Sequence, residues 1–178
     1  MDIEETIRRR KSVRRYLSRP IEKEKIVKLI EAARLAPSAS NRQEWRFVVV
    51  RDRSKIEQLA VASCNQSFIR EASLVIVACA QTDSYVMRCG QLCYPIDVAI
   101  ACEHIVLEAV ELGLGSCWIG AFYEEEVKKI LNIPSEIRVV ELLALGYPHP
   151  EETPPEKKRL SLDQIAFGES WHKPLNLT

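Results

Sequence analysis

The sequence has no excess of either charge: 25 Lys and Arg face 25 Asp and Glu in 178 residues. That balance argues against a dedicated nucleic-acid binder, which needs a net positive field. No apolar run approaches the roughly 20 residues required to span a bilayer, because Asp97, Glu103, Glu108 and Glu111 break the longest ones. The first residues are charged, with no apolar leader segment, so the expected compartment is the cytoplasm and no membrane partner is expected. Glycine is scarce, and no glycine-rich phosphate loop follows a strand. Gly113 and Gly115 precede an apolar run instead of opening a helix, so a Rossmann reading fails on context. The three histidines, His104, His149 and His172, are scattered. With the cysteines they supply no Ser/His/Asp or Cys/His set and no metal-ligand spacing. An enzyme with no acid or nucleophile of its own fits one whose cofactor carries the chemistry.

The six cysteines are Cys64, Cys79, Cys89, Cys93, Cys102 and Cys117. In a cytoplasmic chain they are expected to be reduced, and most sit in apolar runs that suit core thiols. Cys89 and Cys93 form the only close pair, and a redox role for them stays open.

Hydrophobic periodicity organises the chain as one domain over 1–178. Asp2 and Glu5 read as a capping box opening a short helix, with Ile3 and Ile7 on one face. A second helix spans about 22–35 and stops before Pro37. Residues 47–50 and 74–80 read as strands, with a helix over 54–63 between them. After a polar connection at 81–91, residues 92–112 form one long helix, apolar nearly all round and therefore buried. A strand or tight turn follows at 116–120, then an amphipathic helix at 124–131 and a last strand at 138–145. Residues 147–178 form a charged, proline-rich tail with few core residues, which needs something to lie on. The class is α+β.

Six basic residues crowd positions 8–15 around Ser12 and Val13. Guanidinium forks match phosphate oxygens, but a solvated helix end is the simpler reading of the cluster alone. A second basic group, Lys157-Lys158-Arg159, lies in the tail. The polar loop at 38–45 is rich in amides and hydroxyls that can both donate and accept. Residues 115–120 make a small-residue turn around Trp118, where glycine permits close backbone approach to a ligand.

In that order, these segments resemble the nitroreductase family of FMN enzymes across nearly the whole chain. Arg10, Lys11, Ser12, Val13 and Arg14 are similar to the family's Arg-x-Ser-x-Arg segment on the FMN phosphate and ribityl chain. Pro37, Ser38, Ala39, Ser40, Asn41 and Gln43 resemble a flavin-contacting loop contributed by the partner subunit. Asn65 falls where the family often has an Asn near the flavin pyrimidine edge. Cys117, Trp118, Ile119 and Gly120 resemble the segment against the isoalloxazine ring, with the amides of Gly120 and Ala121 near N5. Lys157 and Arg159 would join the phosphate site. Glu44, Phe68 and Ser73 depart from the residues common at those places, which are proline, lysine in some members, and proline in short members.

The resemblance implies a central, mainly antiparallel sheet flanked by helices. It also implies an obligate homodimer with two FMN sites at its interface and exchanged C-terminal tails. Function follows as an expectation: NADH or NADPH reduces FMN, and a small electron-poor acceptor of nitroaromatic or quinone type then takes the electrons, in ping-pong order. Tyr85, Arg88 and Tyr94 of the 81–95 connection would line the substrate mouth. The alternatives are the same fold with another flavin reaction, of destructase, deiodinase or dehydrogenase type, and a non-catalytic flavin-binding module. A long lid insertion of the deiodinase kind is not seen.

Overall fold

A computed structural model describes residues 1–152 and 157–176 of the chain. In chain order the elements are α1 (Ile3–Arg9), α2 (Lys23–Arg34), a 3-10 turn (Ala39–Asn41), β1 (Trp45–Val50), α3 (Arg53–Ala62), α4 (Phe68–Glu71) and β2 (Leu74–Ala80). They continue with α5 (Cys93–Glu111), β3 (Gly115–Ile119), α6 (Glu124–Leu131), β4 (Arg138–Gly146) and α7 (Leu162–Ile165). The four strands form one antiparallel sheet in the order β1-β2-β4-β3. The α+β class and the flanked antiparallel sheet are as the sequence indicated. Among the described residues, no helix is long and apolar enough to cross a membrane.

The sheet sits between two cores, and the period-two pleat of its strands feeds both. Leu74, Ile76, Ala78 and Ala80 of β2 join α2 and α5 on one face. Val75, Val77 and Cys79 join α3 and α6 on the other. β2 is buried at every position, which explains its unbroken apolar run. On β4, Leu143 and Leu145 face α5, while Leu142 and Ala144 face the opposite layer. The β2–β4 ladder pairs Ala78 with Glu141 and Cys79 with Val139, leaving Val140 as the extra residue of a bulge.

α5 is the central packing element: Val98, Ala101, Cys102, Ile105, Val106 and Ala109 are all fully buried. Tyr94 belongs to this buried set, not to a substrate mouth, because helix α5 begins at Cys93 and turns the phenol ring inward. Asp2 caps α1 by accepting from the Glu5 amide at 2.8 Å, but the expected capping box is not closed, because the Glu5 carboxylate pairs with Arg9 at 3.2 Å. Ile3 and Ile7, which share one face of α1, are exposed. So are Leu160, Leu162, Ile165, Trp171 and Leu175 of the tail.

Candidate cofactor site

The N-terminal basic segment leaves its helix before it reaches the site. α1 ends at Arg9, and residues 12–17 then zip along the sheet margin. Ser12 bridges Ser116 in parallel, and the Val13 amide donates to the Ser116 carbonyl at 2.9 Å. The Leu17 amide donates to Tyr147 O at 2.8 Å. This approach explains Gly115: a Cβ there would stand 2.8 Å from the Val13 side chain. The Arg-x-Ser-x-Arg stretch is thus pinned beside β3, the strand that carries Cys117 and Trp118.

The tail returns to the same place. Lys157 donates from Nζ to the Arg10 carbonyl. Burial pushes the Lys157 ammonium below its ordinary pKa, and the nearby cations Arg10, Arg159 and Lys11 push it further. Glu103 of α5 opposes that shift. Burial raises the Glu103 carboxyl itself, against the pull of Arg10, Lys157 and His104. Arg10, Lys11 and Arg159 therefore gather around Lys157, and Arg10 and Lys157 face the half-buried Glu103 carboxyl group. Such a group of like charges is unfavourable until an anion joins it.

Ion pairing separates these cations from their neighbours. Arg8 pairs with Glu4 at 2.6 Å, Arg9 with Glu5 at 3.2 Å and Arg15 with Glu151 at 3.3 Å. Among the described residues, Arg10, Lys11, Arg14, Lys157 and Arg159 have no salt bridge. The exposed i,i+4 pairs on α1 show that Arg8 and Arg9 belong to a solvated helix face. The segment is therefore part surface helix and part candidate anion site, divided at Arg10.

The end of β3 supplies a different kind of group. Cys117 and Ile119 are buried, Trp118 is half-buried, and Gly120 and Ala121 are exposed. No protein oxygen among the described residues accepts the amide hydrogens of Gly120 or Ala121, so both donors are open to a ligand. Gln66 Nε2 reaches Ser63 O at 3.0 Å and Ala121 O at 3.3 Å, tying the turn after α3 to this strand end. Asn65 sits in that turn with φ 56°, next to Cys64 at φ 56°. The Arg14 guanidinium lies 5.8 Å from the centre of the Phe68 ring on α4. Phe68, where some relatives of this sequence pattern have lysine, gives Arg14 an aromatic support instead.

The 37–43 loop is held elsewhere, at the start of α5. Both Asp97 carboxylate oxygens accept from the Ala39 amide, at 3.1 and 3.2 Å, and the Cys93 thiol donates to Asp97 at 3.2 Å. Ser38 Oγ accepts from the Gln43 amide at 3.0 Å. Ser40, Asn41 and Gln43 adopt left-handed backbone conformations, with φ of 50°, 56° and 51°. Such non-glycine conformations carry strain and concentrate at ligand sites. Glu44 is buried and pairs with Arg42 at 3.2 Å, while Arg42 also reaches Asp83 at 2.6 Å and stacks on Tyr85 at 5.0 Å. The glutamate departure thus anchors this loop to the 81–92 connection. Ser73, the third departure, donates from Oγ to the Arg19 carbonyl at 2.6 Å.

Within one chain, Arg10, Lys11, Ser12, Arg14, Asn65, Cys117 to Ala121, Lys157 and Arg159 share a neighbourhood. No hydrogen bond or ion pair among the described residues joins them to Pro37, Ser38, Ala39, Ser40, Asn41 or Gln43. Sequence reasoning missed Glu103, Gln66, Asp97 and Glu141 as neighbours of the two groups. Glu141 alone gave a visible signal, as the one charge inside an apolar strand.

Burial works against thiolate formation at Cys93 and Cys117. All six cysteines are free, with Cys64 and Cys89 exposed and the other four buried. Burial and the hydrogen bond to Asp97 push Cys93 up to about 11, so it is protonated at neutral pH and a poor nucleophile. Burial also raises Cys117.

The residues therefore offer an anion subsite, two open amides, a polar turn and a partly aromatic wall. This set fits FMN: the cation group matches a phosphate, and the free amides match a ring edge that gains charge on reduction. Comparison with known proteins finds relatives along most of the chain. The nitroreductase family model matches residues 7–65 and 57–147. A protein of Archaeoglobus fulgidus, named as a candidate NADH dehydrogenase/NAD(P)H nitroreductase, is 39% identical over 147 residues, covering 80% of this chain and 83% of its own length. An NADH dehydrogenase of Thermus thermophilus is 30% identical over 198 residues, covering 94% of this chain and 96% of its own. The solved structure of an FMN-dependent nitroreductase from Clostridium difficile R20291 superposes with a TM-score of 0.80 at 30% identity, covering 93% of this chain and 98% of that one.

Proposed function

The chain belongs to the nitroreductase family, and on that footing we propose that it is a homodimeric, FMN-dependent oxidoreductase using NADH or NADPH. The observation that carries this reading is the convergence of Arg10, Lys11 and Arg159 on Lys157, in a segment bridged to β3, the strand whose end carries the open amides of Gly120 and Ala121. The names borne by the relatives, an FMN-dependent nitroreductase and an NADH dehydrogenase, support it.

Bound FMN would supply the hydride and electron transfer that no side chain here can perform. Arg10, Lys157 and Arg159 neutralise the phosphate, and Ser12 adds a hydroxyl for phosphate or ribityl oxygen. Arg14 would join Ser12 at the phosphate and ribityl oxygens, and Asn65 would serve the polar edge of the ring. Trp118 and Ile119 border it, and the Gly120 and Ala121 amides favour charge developing there. Pro37, Ser38, Ala39, Ser40, Asn41 and Gln43 come from the second subunit. Their separation from the other group within one chain supports a site completed only in the dimer. The exposed tail residues Leu160, Leu162, Ile165 and Trp171 support a 147–178 tail lying on the partner. Tyr85 and Arg88, both exposed, border the substrate mouth. The nicotinamide donor leaves before an electron-poor acceptor of nitroaromatic or quinone type enters the same slot.

Anaerobic titration of the FMN-loaded protein tests this. NADH or NADPH should bleach the flavin absorbance, and a quinone or nitroaromatic should restore it. A flavin that neither nicotinamide reduces overturns the proposed donor.

A further inference from the structure

β4 carries one charge for which its packing gives no reason. Between Val139 and Leu145 every residue is apolar except Glu141. β4 is an interior strand, hydrogen-bonded on both sides. A carboxylate at such a place costs desolvation energy and is rarely kept unless paired or used. No cation is among the groups that act on Glu141; burial raises its carboxyl group, and only the Ile119 backbone amide opposes this.

Its surroundings point toward the cofactor site. The pleat puts Glu141 on the face of Leu143 and Leu145, beneath α5. Cys102 of α5 and Cys117 of β3 both feel its charge, and burial keeps both thiols protonated. Glu103 of α5 acts on Cys102 as well, and it faces Arg10 and Lys157 of the anion subsite. The Ile119 amide belongs to the Trp118–Ile119 peptide, one residue before the Gly120 amide. Both carboxylate oxygens lie 3.7 Å from where a Cβ would stand on Gly120. Gly120 has no positive φ demanding glycine. Its lack of a side chain instead leaves a flank that the Glu141 carboxyl group borders.

We propose that Glu141 is a positioning residue of the flavin site: its carboxyl group fills the flank left by Gly120, orients the Trp118–Ile119 peptide and takes up a proton when the site gains negative charge. This inference rests on the FMN reading above. The proton comes from solvent when hydride from NAD(P)H adds charge to the site. It returns to solvent when the acceptor removes the electrons, so no further oxidant or reductant is needed. The physical cause is like-charge repulsion: a carboxylate beside a newly negative group binds its proton more tightly. A carboxyl group already disposed toward its neutral form by burial responds more readily to added negative charge.

The test compares FMN-loaded wild type with Glu141→Gln by spectroelectrochemical titration across acidic to mildly alkaline pH. In wild type, the reduction equilibrium should carry an added proton-linked component of up to tenfold per pH unit, about 30 mV for a two-electron couple. Glu141→Gln should lose that component, keep its affinity for FMN and show the higher potential at the alkaline end. Superimposable lines for the two proteins overturn the role of Glu141 and leave the FMN reading intact. A second readout needs only wild type: the redox-difference infrared spectrum should show a protonated-carboxyl band rising on reduction. Absence of that band also overturns the proposal. A wild-type protein that binds no FMN overturns the function itself, and this inference with it.

Discussion

Replacing Arg10 with alanine should weaken FMN retention far more than replacing Arg9, its immediate neighbour. Arg9 sits on the last turn of α1, exposed and paired with Glu5 at 3.2 Å. Exposed pairs of this kind contribute about 0–1 kcal/mol to stability. Arg10 has no carboxylate partner among the described residues, and its carbonyl is held by Lys157. A hydrogen bond to a charged group is worth about 1.5–3 kcal/mol, and tenfold in affinity is about 1.4 kcal/mol. Arg10→Ala should therefore raise the Kd for FMN by roughly 10- to 100-fold. The same change removes a cation that pushes the Lys157 ammonium down, so the Lys157 pKa should rise. The assay is quenching of FMN fluorescence by apoprotein at two salt concentrations, since a phosphate contact is screened by salt. Equal losses for Arg9→Ala and Arg10→Ala would refute the division of the basic segment at Arg10.

Three further outcomes follow from local geometry. Gly115→Ala places a Cβ 2.8 Å from Val13 and should displace the 10–14 segment, so FMN affinity should fall while far-ultraviolet dichroism is retained; unchanged affinity would contradict the pinning of that segment to β3. The Tyr147 hydroxyl, with Arg19, holds the Glu22 carboxyl down to about 2, so the native state is favoured above the ordinary value of 4.5 and that advantage is lost as pH falls toward 2. Tyr147→Phe should flatten the acid limb of the stability curve in that window, and an unaltered limb in pH-dependent thermal melts would exclude the linkage. Alkylation near neutral pH followed by mass spectrometry should modify Cys93 much more slowly than Cys89, because Cys93 is buried and held up to about 11; equal rates would contradict the Asp97 contact.

Much of the fold was legible because the apolar period is strong where the core is deep. The 74–80 run and the 124–131 helix coincide with β2 and α6. Short elements were not legible: α4, α7 and the 3-10 turn span only three or four residues, too few to show a period. Tyr94 was misplaced because a helix start and a polar connection look alike when no capping residue marks the boundary. The anion site was legible only as two separate basic clusters. Their meeting depends on a bridge between Ser12 and Ser116 and on the return of the tail, contacts that span more than a hundred positions. Glu141 was visible as an odd charge in a strand, but its relation to Gly120 required the register of β3 on β4.

The most direct test of the central claim is the visible spectrum of the purified protein after incubation with FMN and removal of free flavin. The account predicts retained flavin absorbance at one FMN per chain, lowered together by Arg10→Ala and by Lys157→Ala. A colourless protein that gains no flavin would contradict it.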